Sequence, residues 1–243
     1  MTQERTPTIL ATSGGLIRGQ RTEVAFGPLL HHAIELSGAT RPSLVYVGTA
    51  MGDGSAQGLR MIEAGQAAGI PVRLLKLFPM PNVDDFDDYL LSHDVVWVGG
   101  GSVANLLALW RLHGLDSALT RAWQAGVVLG GVSAGSLCWH QGGTTDSFSP
   151  ELTPVTNGLA LLPYSNGVHY DSEPRRRPLF QELIAAGTLA DGYATEDGTG
   201  LVFRGTTLVE AVTEIKDKRA YSVRRSGEGV QEESLPTRLL ANG

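Results

Sequence analysis

Val127-Val128-Leu129-Gly130-Gly131-Val132-Ser133-Ala134-Gly135 is an apolar, β-branched run that ends abruptly in Gly-x-Ser-x-Gly. This is how a chain builds a nucleophile elbow: a strand delivers a serine to a tight turn at the carboxyl edge of a sheet. A Cβ on either flanking glycine would collide with the turn or block a ligand. A short helix is predicted over Ser136–His140, and its free N–H groups can hold a developing oxyanion. An ordinary strand–turn–helix junction has the same composition, so the rest of the chain must decide.

Upstream, strand and helix patterns alternate. Strands are predicted at Thr8–Ala11, Ser43–Val47, Val72–Phe78 and Asp94–Val98, and helices at Phe26–Leu36, Ala56–Ala68, Val83–Leu91, Val103–Leu112 and Asp116–Ala125. Such βαβ alternation predicts an α/β, doubly wound, mostly parallel sheet flanked by helices. After Gly142 the pattern changes. Gly143–Asn157 reads as a long polar loop, Leu159–Tyr164, Gly167–Tyr170 and Tyr193–Thr195 as extended pieces, and Pro178–Ala186 as a helix. Leu201–Phe203, Thr207–Val212 and Ala220–Val223 read as antiparallel strands at the sheet edge, and about 231–243 as a flexible tail. With no repeats or Pro-rich linkers, residues 1–243 read as a single α/β domain.

The chain has 243 residues, 42% hydrophobic and 18% charged, with a net charge of −6. That balance fits a folded soluble chain and argues against a nucleic-acid partner. One cysteine, Cys138, excludes an intrachain disulfide and a cysteine metal cluster. The opening segment MTQERTPTILATSGG has no long apolar run, and no stretch is long enough to span a membrane. The expectation is a cytoplasmic protein with no membrane partner, cofactor or metal, acting on a small substrate, with a homodimer allowed.

Ser133 needs a base. His31, His32 and His113 fall in predicted helices, His93 at a helix end, and His140 too close to Ser133 on the following helix. His169, ending Gly167-Val168-His169-Tyr170, has the right kind of position. The orienting acid stays open: Asp146 or Glu151 if the acid precedes the histidine, otherwise Asp171, Glu173, Glu196 or Asp197. Gly99-Gly100-Gly101-Ser102 follows a buried strand and opens a helix. It formally matches a dinucleotide fingerprint, but the acid expected at the end of the next strand is missing, because that strand ends in the elbow. We read the loop as a source of oxyanion N–H groups. Arg175-Arg176-Arg177 is the dense basic cluster near the proposed site, either reading a substrate carboxylate or lying solvated in a helix's first turn.

These residues together resemble the peptidase E family of aspartyl dipeptidases, serine peptidase family S51, with its cyanophycinase relatives and the class I glutamine amidotransferase-like fold. The resemblance rests on Val98–Gly101 with Asn105-Leu106-Leu107, on Gly131–Ser136, and on His169, Glu173-Pro174-Arg175 and Glu196-Asp197-Gly198-Thr199. It implies hydrolysis of short peptides, such as dipeptides with an N-terminal Asp, through an acyl-enzyme. It implies Ser133 as nucleophile, His169 as base and Asp197 as acid, with Glu196 the alternative. The oxyanion hole would use the N–H of Ala134 and of Gly100 or Gly101. Arg175, with Ser102 and Glu173, would bind the substrate; Arg176 and Arg177, beside the helix that begins near Pro178, are expected to face solvent. Ser102 stands where the family usually has Asn. An amidotransferase proper would carry Cys at position 133 and Glu at 171, against glutaminase chemistry here. The competing functions are a cyanophycinase-like isopeptidase and a non-catalytic protein holding a small ligand.

Overall fold

The computed structural model describes residues 6–227 and 229–241. The chain runs β1 (Thr8–Thr12), β2 (Leu16–Arg18), β3 (Val24–Phe26), α1 (Pro28–Leu36), β4 (Leu44–Val47), α2 (Ser55–Ala68) and β5 (Val72–Leu75). It continues through α3 (Phe86–Leu91), β6 (Val95–Val98), α4 (Val103–His113), α5 (Leu115–Gln124), β7 (Val128–Val132), α6 (Ala134–Leu137) and β8 (His140–Thr145). Then follow β9 (Thr153–Val155), β10 (Leu162–Gly167), α7 (Arg176–Ala185), β11 (Gly192–Thr195) and β12 (Thr199–Arg204). The last strands are β13 (Thr207–Thr213), β14 (Ala220–Ser226), β15 (Gly229–Leu235) and β16 (Thr237–Leu239).

An eight-stranded sheet has the order β16-β13-β12-β1-β7-β6-β4-β5, and its block from β1 to β5 is parallel. Alternation along β6 shows how both faces are covered. Val95 and Trp97 point into a core with α1 and α2, while Val96 and Val98 point into one with α4 and α5. Successive strand residues face opposite sides, so a strand buried on both faces reads as a continuous apolar run. The helix ends are locally encoded. Asp85 accepts from Asp88 N at 3.0 Å, Ser102 accepts from Asn105 N at 3.2 Å, and Gly114 ends α4 in the left-handed region. No helix among the described residues is long and apolar enough to cross a membrane.

The second half departs from the sequence expectation. A separate six-stranded sheet, β15-β14-β11-β10-β8-β9, takes up Ala220–Val223, which were expected beside the first sheet. Only β12, β13 and β16 extend the first sheet beyond β1. The polar loop expected over Gly143–Asn157 contains the end of β8 and all of β9. HQGGTT has no apolar alternation, and its burial comes from neighbouring strands rather than from its own composition. The tail expected over 231–243 is also corrected. Within it, β15 pairs antiparallel with β14, and β16 pairs parallel with β13. Glu232 on β15 receives hydrogen bonds from Tyr170 Oη and Gln181 Nε2, both at 2.8 Å, and pairs with Arg177.

The short α6 is pressed directly on β6. A Cβ on Gly135 would lie 2.2 Å from Val98 O and 2.7 Å from Val98 C, both main-chain atoms that cannot swing away. Overpacking of this kind costs about 1–3 kcal/mol. Gly135→Ala is therefore expected to lower the denaturant midpoint by a corresponding amount at unchanged m value, read by equilibrium unfolding.

Candidate functional site

Ser133 joins β7 to α6 with φ 57° and ψ −113°. Such a conformation costs a non-glycine residue on the order of 1–3 kcal/mol and persists only where the surroundings over-determine it. Here they do. Ser133 N–H donates to Thr12 O at 3.1 Å, and Ser133 O accepts from Ser136 N and Leu137 N, each at 2.8 Å. The hydroxyl itself makes no hydrogen bond among the described residues.

Strand register sets what surrounds it. Thr12 on β1 lies opposite Val132, and Val98 on β6 opposite Gly131, so three strands end together around the serine. On the β6 side runs Gly99–Ser102. A Cβ on Gly100 would lie 3.3 Å from Ser133 Cβ. Gly101 has φ +129° and faces Ala50 O and Met51 Sδ at 2.5 and 2.9 Å from where a Cβ would stand, which fixes glycine there. The N–H groups of Gly100 and Gly101 have no partner among the described residues. Ala134 is the first residue of α6, where a helix leaves its N–H unpaired. Three backbone N–H groups, on the β6 loop and at the start of α6, are thus left without a partner among the described residues.

On the β1 side lie His169 and Asp197. His169 follows β10 with φ 52°. Its Nδ1 is 2.5 Å from Asp197 Oδ1, which sits in the turn between β11 and β12. Because β12 runs antiparallel to β1, with Thr12 opposite Gly200, its first residues return to the edge where β1 and β7 end. The ring is about one-quarter exposed, and Asp197 somewhat more.

The other acids weighed from sequence are spent elsewhere. Glu196 accepts from Tyr221 Oη at 2.8 Å and from Arg219 N at 2.9 Å. Asp171 accepts from Asp197 N at 2.9 Å and pairs with Lys218. Burial would raise the Asp171 carboxyl, but Lys218 and that N–H outweigh it and hold it below its ordinary value. Asp146 and Glu151 lie in the loop between β8 and β9, and neither bonds to His169.

Among the other histidines, His140 opens β8 instead of riding on a helix, and it is fully buried. Burial lowers its pKa to about 4, against a hydrogen bond from Nδ1 to Ser136 O at 2.9 Å. The Cys138 thiol, also fully buried, is pushed up by desolvation and is no rival nucleophile.

The arginine triplet is divided. Arg176 was expected to face solvent, but it is buried, its guanidinium forked onto Glu173 at 2.7 and 3.1 Å and donating to Thr144 O at 2.8 Å. Arg177 pairs with Glu232 and lies 5.3 and 4.9 Å from the ring centroids of Tyr170 and Tyr221. Arg175 is exposed, donates to Pro150 O at 3.0 Å, and is paired with no carboxylate among the described residues. It lines a cleft of about 200 Å³ with Asp146, Leu152, Ser172 and Pro174. Two residues expected at the substrate are otherwise engaged: the Ser102 hydroxyl caps α4, and Glu173 holds Arg176. Sequence reading missed Ser13, whose hydroxyl accepts His169 N–H at 3.0 Å. The signal was its place between the end of β1 and two glycines. No group of three or more His, Cys, Asp or Glu side chains arranged to hold a metal occurs among the described residues.

Comparison with known proteins agrees with this arrangement of strands and turns. An uncharacterized peptidase, YgaJ, of Bacillus subtilis (strain 168) is 36% identical over 232 residues, covering 96% of this chain and 98% of the relative. The crystal structure of a peptidase from an acI-B1 Actinobacterium superposes with TM-score 0.64 at 15% identity, covering 96% of this chain and 97% of the other. A putative peptidase E protein from Listeria monocytogenes EGD-e superposes with TM-score 0.58 at 17% identity, over 84% and 97%. These two likenesses are of fold. The model of peptidase family S51 matches residues 9–211. The chain, in which that match spans the elbow, His169 and Asp197, belongs to peptidase family S51.

Proposed function

We propose that this peptidase is a serine-type dipeptidase that cleaves short peptides with an acidic N-terminal residue through an acyl-enzyme on Ser133. The observation that carries the reading is a free hydroxyl on a strained turn, with unpaired backbone N–H groups on one side and a hydrogen-bonded His169–Asp197 pair on the other.

Each residue then has a task. Ser133 Oγ attacks the scissile carbonyl carbon while His169 Nε2 takes its proton. The oxygen gains negative charge against the N–H groups of Gly100 or Gly101 and Ala134, which need no reorganisation to receive it. The C–N bond breaks as His169 returns the proton to the leaving amine. Water then attacks the ester, its proton passing to the same nitrogen, and the serine is released. Asp197 accepts from Nδ1–H, fixing the tautomer and stabilising the imidazolium.

Ser133→Ala and His169→Ala should each lower kcat on a panel of dipeptides by several orders of magnitude, on the order of 10³-fold or more. Turnover near wild type in either variant removes that residue from the mechanism. Asp197→Asn is expected to cost about 10²- to 10⁴-fold in kcat. Glu196→Gln, which alters a group bonded to Tyr221 and Arg219, should leave kcat near wild type. The reverse ranking reassigns the acid.

Specificity rests on Arg175. A hydrogen bond to a charged group contributes about 1.5–3 kcal/mol, or about one to two decades if expressed in the transition state. Arg175→Ala should cut kcat/KM for Asp-X dipeptides by that factor and spare Ala-X. Equal losses on both substrates would make Arg175 structural. Wild-type activity on β-aspartyl peptides with none on Asp-X would make the protein an isopeptidase.

A further inference from the structure

The end of β1 meets both halves of the His169–Asp197 pair. Ser13 is almost wholly buried. Its Oγ accepts His169 N–H at 3.0 Å and lies 2.7 Å from Thr195 Oγ1 and 3.2 Å from Thr195 O. That carbonyl also accepts Tyr170 N–H at 3.1 Å. The peptide groups on either side of the histidine's Cα are therefore both pinned to the Ser13–Thr195 pair. The main chain of Ser13 does the same for the acid. Ser13 O accepts Gly198 N–H at 2.9 Å, and Ser13 N–H donates to Thr199 O at 2.8 Å, immediately beyond Asp197.

We propose that Ser13 is a positioning residue that sets the separation of the His169 ring and the Asp197 carboxylate, its hydroxyl holding the histidine's backbone in the left-handed region while its peptide holds the turn that carries the acid. His169 has φ 52°, which a non-glycine residue keeps only under external constraint. Ser13 Oγ is the acceptor for its N–H, and a partly buried N–H without an acceptor is disfavoured enough to move the chain. An alanine at position 13 keeps the contacts to Gly198 and Thr199 and removes only the tie to His169 and Thr195. The acid then stays and the base drifts. The proposal rests on His169 and Asp197 acting as a pair in the proposed peptidase reaction, and it is tested by a measurement that does not depend on turnover.

The Nδ1–H proton of His169, bonded to a carboxylate at 2.5 Å, should resonate well downfield of the amide envelope. Its loss in His169→Gln assigns it. In Ser13→Ala the resonance should move upfield or vanish, and in Ser13→Thr, which keeps the hydroxyl, it should return towards the wild-type position. On dipeptides, Ser13→Ala should lower kcat about 10- to 100-fold, as misplacement of a catalytic group does, with KM unchanged. Thr195→Val removes the hydroxyl's buried partner but leaves the His169 N–H bonded. It should shift the resonance the same way by less, and it serves alone if Ser13→Ala does not fold. A resonance unmoved in both variants overturns the proposal. So does a loss of kcat as large in Ser13→Thr as in Ser13→Ala, or a loss confined to KM. If the wild type cleaves no peptide, the proposed function fails while the resonance still decides the role of Ser13.

Discussion

Contact between Gly135 and the main chain of Val98 is the constraint on which the site depends. With no side chain between them, α6 packs against the end of β6, and the chain must reverse within a residue or two of β7. That reversal drives Ser133 to φ 57°. It also leaves the first N–H of α6, on the residue after the serine, unpaired. The proposed nucleophile and one proposed oxyanion donor thus arise from one packing decision, held by the parallel register that ends β1, β7 and β6 together.

The carboxylate that pairs with His169 is selected by a different kind of competition. Asp171, Glu196 and Asp197 are near neighbours at the end of β11 and the turn after β10, and any of them could serve an imidazole in isolation. The fold distributes partners among them. Lys218 and a backbone N–H take Asp171, while Tyr221 and the Arg219 N–H take Glu196. Asp197 is left to His169. Apart from the Asp197 N–H on Asp171, these partners come from the β13–β14 connection and from β14, and the hairpin of β14 with β15 also receives Tyr170, the residue after His169, on Glu232. The C-terminal strands therefore form part of the support of the site.

This division explains what the sequence alone could convey. The elbow, the triple glycine and the parallel block were legible because each is written in contiguous residues: an apolar run, or a glycine where a Cβ has no room. The position of His169 was legible by elimination among six histidines. Local patterns did not carry the second sheet. Its strand β8 is HQGGTT, its edge strand β15 is rich in charged and polar residues buried only in part, and Ala220–Val223 read as a strand without any sign of which sheet it joins. Nor was the fate of the three arginines legible. Burial of Arg176 depends on Glu173 one turn away and on Thr144 from a strand about thirty residues upstream, and no pattern within Arg175-Arg176-Arg177 distinguishes its members.

That same division bears on how a basic cluster in an acidic chain is put to use. Three adjacent guanidinium groups would repel one another and bind anions indiscriminately if all were free. Pairing Arg176 with Glu173 and Arg177 with Glu232 neutralises two of them and leaves a single charge at Arg175. The neutralised pair still contributes. Arg176 ties the first turn of α7 to β8 through Thr144 O, and Arg177 ties it to Tyr170 and Tyr221, so the helix that presents Arg175 is fixed from two sides. In the proposed reaction, a single unpaired guanidinium at the start of that helix would discriminate by the position of a substrate carboxylate. A mobile cluster of three would discriminate only by net charge.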